Sequence, residues 1–279
     1  MATFVEVTDP AHPLLADFVA LNDPARRRQV ERSGGYFVVE GTLAIERLLE
    51  LDGWEVRGLA LLPRVAERMA PLLGASRSEV AVCEEAVLRT VVGFDLHRGA
   101  LASVARRPPS AVADVLASAS SASVLVAAEG VNDHENLGAL YRNAAAFGAA
   151  AVLLDPTCAD PFYRRSVRVS LGHVLALPTV ALGAGPSGLE ELHRFGVTTV
   201  ALTPSADRPL RELTPADLGT GPVVVIVGAE GPGLQAATLQ AATHRASIPM
   251  ASGVDSLNVA TAAAVALDHL RHLVAQRDQ

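Results

Sequence analysis

The chain has 279 residues, of which half are hydrophobic and 4% aromatic, so it can bury the core of one large domain or of two ordinary ones. Its formal net charge of −7 argues mildly against nucleic acid as a partner, because phosphate contacts need cations. All 23 basic residues are arginine, however, and arginine binds phosphate through a planar fork of donors. A coding bias toward arginine and alanine explains the same composition, so the net charge leaves the partner open.

The sequence lacks the patterns that indicate membrane insertion, secretion, disulfide bonding or zinc binding. No apolar run is long enough to span a membrane, and the opening "MATFVEVTDPAHP" lacks the pattern of a signal peptide. Cys83 and Cys158 lie far apart and match neither a disulfide framework nor a zinc-binding spacing. We therefore expect reduced cysteines, no bound metal and a cytoplasmic protein.

The first hundred residues alternate between short apolar runs and amphipathic segments. Strands are predicted at 36–41, 55–63, 79–83 and 99–107, and helices at 42–51, 64–74 and 84–93. This alternation predicts a small α/β domain over residues 1–107. The stretch "RRPPSAVADVLASASSAS" then changes the composition to proline, serine and alanine, so residues 108–120 are predicted to be a linker.

Residues 121–279 alternate again, with more strongly apolar strands. The predicted strands are 123–130, 150–156, 173–180, 197–204, 222–231 and 245–250, and the predicted helices include 136–148, 187–195, 233–242 and 256–275. Continuous Val/Leu/Ile runs separated by helices indicate a parallel sheet covered on both faces. Ligands of such sheets bind beyond the carboxyl ends of the strands.

Polar residues follow the first of these strands, in "SVLVAAEGVNDHENLGALYRNAAAFGA". Asn136 is an acceptable N-cap for the helix, and Gly138 would let a ligand or another backbone approach closely. Arg142 lies nearly two turns further on. The simpler alternative is that Asn136 only caps the helix and that Arg142 reaches solvent or a carboxylate.

A second unusual strand end is "VVVIVGAEGPGL", where Glu230 lies among glycines. The spacing matches neither a phosphate loop nor a dinucleotide fingerprint, and a carboxylate would repel phosphate. Glu230 better suits a donor such as a hydroxyl, an amine or a backbone N–H. The alternative is an ordinary strand-to-helix turn, in which Pro232 and Gly233 start the helix.

The third strand end is "SIPMASGVDSLNVATAAAVALDHL". A loop of small residues follows the strand, and a helix is predicted to begin near Ser256. Ser256 is the expected N-cap, and Asn258 would be the second helical residue. A capped, buried helix without further function is the alternative.

Together the three segments resemble the SpoU/TrmH family of RNA ribose 2′-O-methyltransferases, within the SPOUT superfamily. The family pattern N-x-G-x-x-x-R-x-A matches "NLGALYRNA" at 136–144, its G-x-E-G loop matches "GAEGPGL" at 228–234, and its last motif matches "IPM" at 248–250 with "SLNVA" at 256–260. The resemblance covers about residues 121–275. The first hundred residues, with "FVVEG" and "RGALASVARR", resemble the L30e-like substrate-binding domain that often precedes it.

The resemblance implies a C-terminal parallel-sheet SPOUT domain, over residues 121–279, that is tied in a deep trefoil knot. It also implies a homodimer and the methyl donor S-adenosylmethionine. The residues expected to contact this cofactor are Thr203, Gly228, Gly231, Ile248, Met250, Leu257 and Ala260. A neutral pocket rich in glycine and apolar side chains suits an adenine ring and a sulfonium.

The catalytic residues implied by the resemblance are Arg142, Asn136, Glu230, Ser256 and Asn258. The family assigns the arginine a role at the ribose, as a base or as an anchor. A guanidinium stays protonated far above neutral pH, so we favour an anchor that holds the adjacent phosphate and stabilises charge on the 2′-oxygen. Two positions depart from the family pattern: Asn143 replaces the usual Thr or Ser, and the loop "NDHE" lacks a common proline.

Two arginine-rich segments are candidates for RNA contact. "FYRRSVRVSLGHVL" is expected near the cofactor pocket and contains Tyr163, Arg164, Arg165 and Arg168. The segment "ARRRQVERSGG" of the small domain contains Arg26, Arg27, Arg28 and Arg32. Clustered arginine beside an aromatic ring suits phosphate and base contact, although a solvated helix face gives the same pattern.

The predicted function is methyl transfer to a ribose 2′-hydroxyl of RNA. Ribosomal RNA is the first choice of substrate, because the small domain resembles a ribosomal-protein fold, and transfer RNA is the second. Two alternatives remain: a catalytically silent relative that only binds RNA, and an enzyme acting on a small molecule, which the lack of nucleotide-binding motifs disfavours.

Overall fold

The computed structural model describes residues 2–23, 25, 34–74, 79–96 and 98–277. Its residues divide into two compact units. Unit 1 comprises Met1–Pro108 and Phe162–Ala176, and unit 2 comprises Pro109–Pro161 and Leu177–Gln279.

Unit 1 is an α/β unit built on a mixed sheet. Its strands, among the described residues, are β1 (Thr3–Glu6), β2 (Tyr36–Glu40), β3 (Val56–Leu61), β4 (Glu79–Val82) and β5 (Ala100–Ala105), in the order β1-β4-β3-β5-β2. Its helices are α1 (Thr42–Glu50), α2 (Pro63–Leu73) and α3 (Glu85–Val92). β5 runs antiparallel to both β2 and β3, so β2 and β3 run in the same direction. β1 is a strand that the sequence did not predict.

Unit 2 contains the predicted parallel sheet. The strands of its described residues are β6 (Val124–Glu129), β7 (Val152–Leu154), β8 (Thr179–Ala181), β9 (Thr198–Leu202), β10 (Val223–Gly228) and β11 (His244–Ala246), in the order β11-β9-β10-β6-β7-β8. Every neighbouring pair is parallel. The central strands β6 and β10 are buried over almost their whole length, as their continuous apolar runs predict.

Helices of unit 2 cover this sheet. They are α4 (Val112–Ser118), α5 (His134–Ala146), α8 (Pro186–Arg194), α9 (Ala236–Ala241) and α10 (Val259–Ala275), while α6 (Arg164–Val169) and α7 (His173–Ala176) belong to unit 1. Short 3₁₀ turns occur at Pro13–Phe18, Leu210–Glu212 and Pro215–Leu218.

The structure differs from two predictions about chain organisation. Residues 108–120 were predicted to be a linker, but helix α4 lies within them and its Val112 and Val115 are buried in the core of unit 2. The strand predicted at 173–180 begins with α7, and only Thr179–Ala181 pairs with β7. The apolar run "HVLAL" gave no sign that its first half packs in unit 1, since burial alone does not separate a short helix from a short strand.

Candidate active site

The carboxyl ends of the unit 2 strands bring the three sequence motifs to one edge of the sheet. Because β6, β9, β10 and β11 are parallel, the residues that follow them lie on the same side. Glu129 ends β6, Gly228 ends β10, and Thr203 and Ser247 directly follow β9 and β11.

The helix after β6 begins earlier than predicted. Asp133 is the N-cap of α5, and its Oδ1 accepts hydrogen bonds from the N–H groups of Glu135 at 2.9 Å and Asn136 at 2.8 Å. The prediction that Asn136 caps the helix was therefore wrong. Asn136 lies in the first turn, where its side chain is not needed for capping and is available for other contacts.

The last helix also has a different cap from the one expected. Asn258 is the N-cap of α10, and its Oδ1 accepts from the N–H groups of Ala260 at 3.0 Å and Thr261 at 3.2 Å. Ser256 is exposed and lies two residues before the cap. Serine and asparagine are both good N-caps, so composition alone did not distinguish them.

The side-chain amide of Asn258 joins the three motifs. Its Nδ2 donates to Oδ1 of Asn136 at 2.7 Å and to Oε1 of Glu230 at 3.1 Å, while its oxygen caps α10. An amide can do both because its NH₂ group donates two hydrogen bonds while its oxygen accepts, whereas serine has one donor and ionised aspartate has none. We call Asn136, Glu230 and Asn258 the motif cluster.

The turn that carries Glu230 is closed tightly. The N–H of Gly233 donates to the carbonyl of Ala229 at 3.0 Å, and a Cβ on Gly228 would lie 2.3 Å from the carbonyl carbon of Gly233. Only glycine fits there without moving backbone. Helix α9 starts after this turn, at Ala236, so the alternative in which Pro232 and Gly233 start the helix was wrong.

A buried carboxylate that the sequence analysis did not single out supports this turn. Glu129 is 6% exposed and accepts from the N–H of Gln235 at 2.6 Å and from the hydroxyl of Thr238. A second one, Asp155, is 5% exposed and accepts from the N–H of Gly130 at 3.0 Å. Glu129 ends the apolar strand in "VAAEG", and Asp155 follows the apolar strand in "VLLDP". A carboxylate at the end of a buried apolar strand is the sequence signal that could have identified both residues.

Arg142 is not part of the motif cluster. It lies on α5 six residues after Asn136, which turns it to a different side of the helix, and its side chain is exposed. The next residue, Asn143, lies between α5 and α10, where its Nδ2 donates to the carbonyl of Ala260 at 2.8 Å. The departure from the family pattern at position 143 therefore ties the first turn of α10 to α5.

The residues predicted to bind a cofactor lie around the same sheet edge. Thr203, Ile248 and Met250 are half-buried, Gly231 and Leu257 are exposed, and Gly228 ends β10. Ala260 is 2% exposed, and its N–H and carbonyl are bound by Asn258 and Asn143. Their roles toward a cofactor stay predictions.

The loop between β9 and β10 is held by an ion pair. Arg208 donates to both carboxylate oxygens of Asp217, at 2.9 and 2.7 Å. These bonds, together with those from Thr214, hold the pKa of Asp217 well below its usual range. The same loop meets the start of the "IPM" segment, because the N–H of Leu210 donates to the carbonyl of Ser247 at 2.7 Å.

The segment 162–176, predicted to bind RNA, lies in unit 1, and two of its arginines bind a carboxylate there. Arg164 Nη1 lies 2.5 Å from Oε2 of Glu40, and Arg168 Nη1 lies 3.3 Å from Oε1 of the same side chain, which is 6% exposed. Arg165 is exposed and Tyr163 is half-buried. Arg26, Arg27, Arg28 and Arg32 lie outside the described residues.

The thiols are unsuited to nucleophilic chemistry. Both cysteines are free; burial raises the pKa of Cys83 to about 11 and that of Cys158 to about 12, so both remain protonated near neutral pH. Within the described ranges, no group of His, Cys, Asp and Glu side chains could hold a metal ion. Nor does any described helix have the length and apolar character needed to cross a bilayer.

With this geometry in place, comparison with known proteins decides the family. Residues 123–268 match the SpoU rRNA Methylase family. The chain belongs to the SpoU rRNA methylase family. This confirms the resemblance inferred from the three motifs, whereas the L30e-like character of the first hundred residues stays a prediction.

Relatives of this SpoU family member align over nearly its whole length. It is 40% identical to an uncharacterized tRNA/rRNA methyltransferase of Mycobacterium tuberculosis, over 94% of this chain and 89% of that protein. It is 29% identical to a 23S rRNA (guanosine-2′-O-)-methyltransferase of Ralstonia nicotianae, over 91% and 93% of the two chains.

The fold is shared with solved structures of the family. The AdoMet-bound rRNA methyltransferase of Sinorhizobium meliloti matches with a TM-score of 0.76 and 28% identity, over 96% of this chain and 98% of that one. The parallel-sheet α/β fold predicted from the sequence is therefore confirmed, and the protein is an RNA methyltransferase of this family.

Proposed function

We propose that the protein transfers a methyl group from S-adenosylmethionine to a ribose 2′-hydroxyl of ribosomal RNA. The observation that carries the proposal is the motif cluster, in which one amide bonds residues from three separate segments at the carboxyl edge of the sheet. Similarity to a ribosomal RNA 2′-O-methyltransferase along most of both chains supports the choice of substrate.

The residues at the sheet edge suit S-adenosylmethionine. Thr203, Ile248, Met250 and Leu257 offer no net charge, which fits a neutral adenosine. Val254 and Leu257 are 48% and 37% exposed in the loop before α10, and an adenine packed there would remove that apolar surface from water. The Sinorhizobium meliloti relative holds this cofactor.

The proposed chemistry needs alignment more than acid or base strength. The cofactor supplies a methyl group that is transferred with loss of a neutral thioether. The motif cluster holds the first turn of α5, the Glu230 turn and the start of α10 in one arrangement, which fixes the position of an incoming ribose. The exposed guanidinium of Arg142 would hold the neighbouring phosphate and stabilise negative charge as the 2′-hydroxyl loses its proton to solvent water.

The test is tritium transfer from labelled cofactor to unmodified transcripts of 23S ribosomal RNA, 16S ribosomal RNA and transfer RNA. We expect label in ribosomal RNA and, after alkaline hydrolysis, in resistant dinucleotides, because a 2′-O-methyl group blocks cleavage. Arg142→Ala should abolish the signal. The matched control is Arg194→Ala, which removes an exposed arginine at the end of α8 and should retain full activity.

Each other outcome contradicts a stated part of the proposal. Label in alkali-sensitive mononucleotides would place the methyl group on a base. Label in transfer RNA alone would show that transfer RNA, and not ribosomal RNA, is the substrate. Absence of label from every RNA would favour the silent RNA-binding alternative.

Three further properties belong to the proposal. They are the trefoil knot, a homodimer and a cytoplasmic location, all expected from the family resemblance. Light scattering of the purified protein should give twice the 29.0 kDa of one chain. A mass of one chain in an active preparation would contradict the dimer.

A further inference from the structure

Unit 1 has an open cavity whose walls are rich in arginine. Its volume is about 430 Å³, and its lining residues are Thr42, Leu43, Arg64, Val65, Arg68, Arg98 and Leu171. All of them belong to unit 1, whereas the motif cluster belongs to unit 2. Leu171 of the segment 162–175 lines the cavity, but Arg164, Arg165 and Arg168 of that segment do not.

The topology of the unit 1 sheet builds this cavity. β2 and β3 run in the same direction, so their carboxyl ends lie at one edge, and the antiparallel β5 starts there. Helices α1 and α2 begin two residues after the ends of β2 and β3 and contribute Thr42 and Arg64, and Arg98 lies two residues before the start of β5. Gly41 has a φ of 103°, and a Cβ there would lie 3.1 Å from Cδ of Arg98, so glycine lets the arginine cross the start of α1.

The cavity is electropositive. Neither α1 nor α2 has a side-chain N-cap, and the first-turn N–H groups of a helix favour a negative charge. Arg68 has a distant partner, Glu46, at 3.6 Å. Arg64 and Arg98 make no ion pair with any carboxylate among the described residues, and both side chains are exposed. Glu40, at the end of β2, does not offset this charge because Arg164 and Arg168 already bind it.

Arg64 and Arg98, which pair with no carboxylate of the described residues, repel one another within one cavity unless an anion binds there. The volume lies within the range of about 300–1,000 Å³ that is usual for small-ligand sites, so it exceeds the need of a single phosphate. The apolar side chains of Leu43, Val65 and Leu171 line the remainder and suit a sugar or a base.

We propose that this cavity binds one nucleotide of the RNA substrate, with its backbone phosphate held by Arg64, Arg98 and the start of α1. The inference rests on the proposed function, because it takes RNA as the substrate. It adds a contact remote in sequence from the methyl-transfer motifs that would help to select or orient the RNA.

The test compares Arg64→Gln/Arg98→Gln with the control Arg89→Gln, an exposed unit 1 arginine that does not line the cavity. Binding of a 23S ribosomal RNA transcript is measured by filter retention at several salt concentrations. The double variant should bind RNA roughly tenfold more weakly. The slope of log affinity against log salt concentration should be shallower by about 1 to 2, because fewer counterions are released from the RNA when fewer phosphates are contacted. Arg64→Lys/Arg98→Lys should restore most of the slope, and the control should match the wild type.

Folding and cofactor binding are checked in the same variants. The melting temperature and the calorimetric affinity for S-adenosylmethionine should be unchanged in the glutamine double variant. If the double variant is misfolded, the comparison of Arg98→Gln alone with Arg89→Gln decides the question. An affinity and slope equal to those of the control would overturn the proposal.

Three further outcomes distinguish a failure of the cavity proposal from a failure of the proposed function. If the wild type transfers methyl groups to RNA and the double variant has the same KM for RNA, the cavity proposal fails alone. If the wild type transfers none, the proposed function fails, while the salt slope still reports on the cavity. Should adenosine 5′-monophosphate bind the wild type but not the double variant, with RNA binding equal in both, the cavity serves a free nucleotide and the proposal is overturned.

Discussion

Replacement of Asn258 by aspartate separates its two roles. Asn258→Asp keeps an oxygen that can accept from the N–H groups of Ala260 and Thr261, so the cap of α10 survives. It removes the Nδ2 donor and places a carboxylate where that donor faces Oε1 of Glu230 at 3.1 Å. The variant should therefore be folded but have a broken motif cluster.

The magnitude follows from these contacts. Two unit charges 3.1 Å apart repel by about 1.3 kcal/mol at the dielectric constant of water and by about 5 kcal/mol at an effective value of 20; the exposed position favours the lower figure. A lost hydrogen bond to a charged group costs about 1.5–3 kcal/mol. Together these contributions amount to about 2.8–4.3 kcal/mol, so if the cluster positions the ribose, kcat/KM should fall roughly a hundred- to a thousandfold.

The assay is tritium transfer to ribosomal RNA with a thermal melt of each variant. Asn258→Ala is the matched control for the cap: it should lose about 1 kcal/mol of stability, or roughly 2 to 4 °C in Tm, as well as activity. Asn258→Asp keeps the cap but also loses Tm, because the lost bonds and the new repulsion weaken the folded state, so kcat/KM is measured at a temperature at which every variant is fully folded. Adding Glu230→Gln to Asn258→Asp should recover part of the activity, because the new amide can donate to the new carboxylate.

Two results would refute this reasoning. Wild-type kcat/KM in Asn258→Asp would mean that the bonds to Asn136 and Glu230 do not position the substrate. A loss of activity in Asn258→Asp that disappears at temperatures well below its Tm would mean that the side chain acts only through the fold.

Three further predictions concern the same unit. Arg142→Ala should lower methyl transfer at least a hundredfold while leaving calorimetric cofactor affinity unchanged; activity within a few-fold of the wild type would exclude both a base and an anchor role. Gly228→Ala should lower both Tm and cofactor affinity, because its Cβ would lie 2.3 Å from the backbone of Gly233, and an unchanged melt would show that this turn is not tightly packed. Since the pKa of Asp217 is lowered in the folded state, the Arg208 pair stabilises the protein above the usual Asp pKa of 3.8, and this contribution is lost as the pH falls below that value. The free energy of unfolding, measured with denaturant from pH 7 to pH 3, should therefore depend less on pH in Asp217→Asn than in the wild type. An equal pH dependence in the two proteins would contradict a stabilising role for the Arg208–Asp217 pair.

Local patterns predicted most of the sheet in unit 2. The runs "SVLVAAEG" and "PVVVIVGAEG" gave β6 and β10, because a strand buried on both faces must be apolar throughout. The three motifs were found in the same way, since each sets polar residues beside an apolar strand or helix. Short strands without such runs, such as β1 and β11, were missed or displaced.

Contacts between distant segments could not be predicted from local patterns. Ser256 and Asn258 are both suitable caps, and only the bonds to Asn136 and Glu230 favour the asparagine. Helix α6 was expected to present its arginines to RNA, but two of them bind Glu40, which is more than 120 residues away in sequence.

The sequence by itself determined the fold class, the family and the residues of the motif cluster. Buried strands appear as local apolar runs and motifs as fixed local spacings, so both can be recognised from residues that are close together in the chain. The tertiary structure decided which amide joins the motifs, which carboxylates are buried and that Arg64, Arg68 and Arg98 line one cavity. Those features depend on which side chains meet after the sheets form, and hydrogen bonds and charge pairs act over a few ångströms of space rather than along the chain.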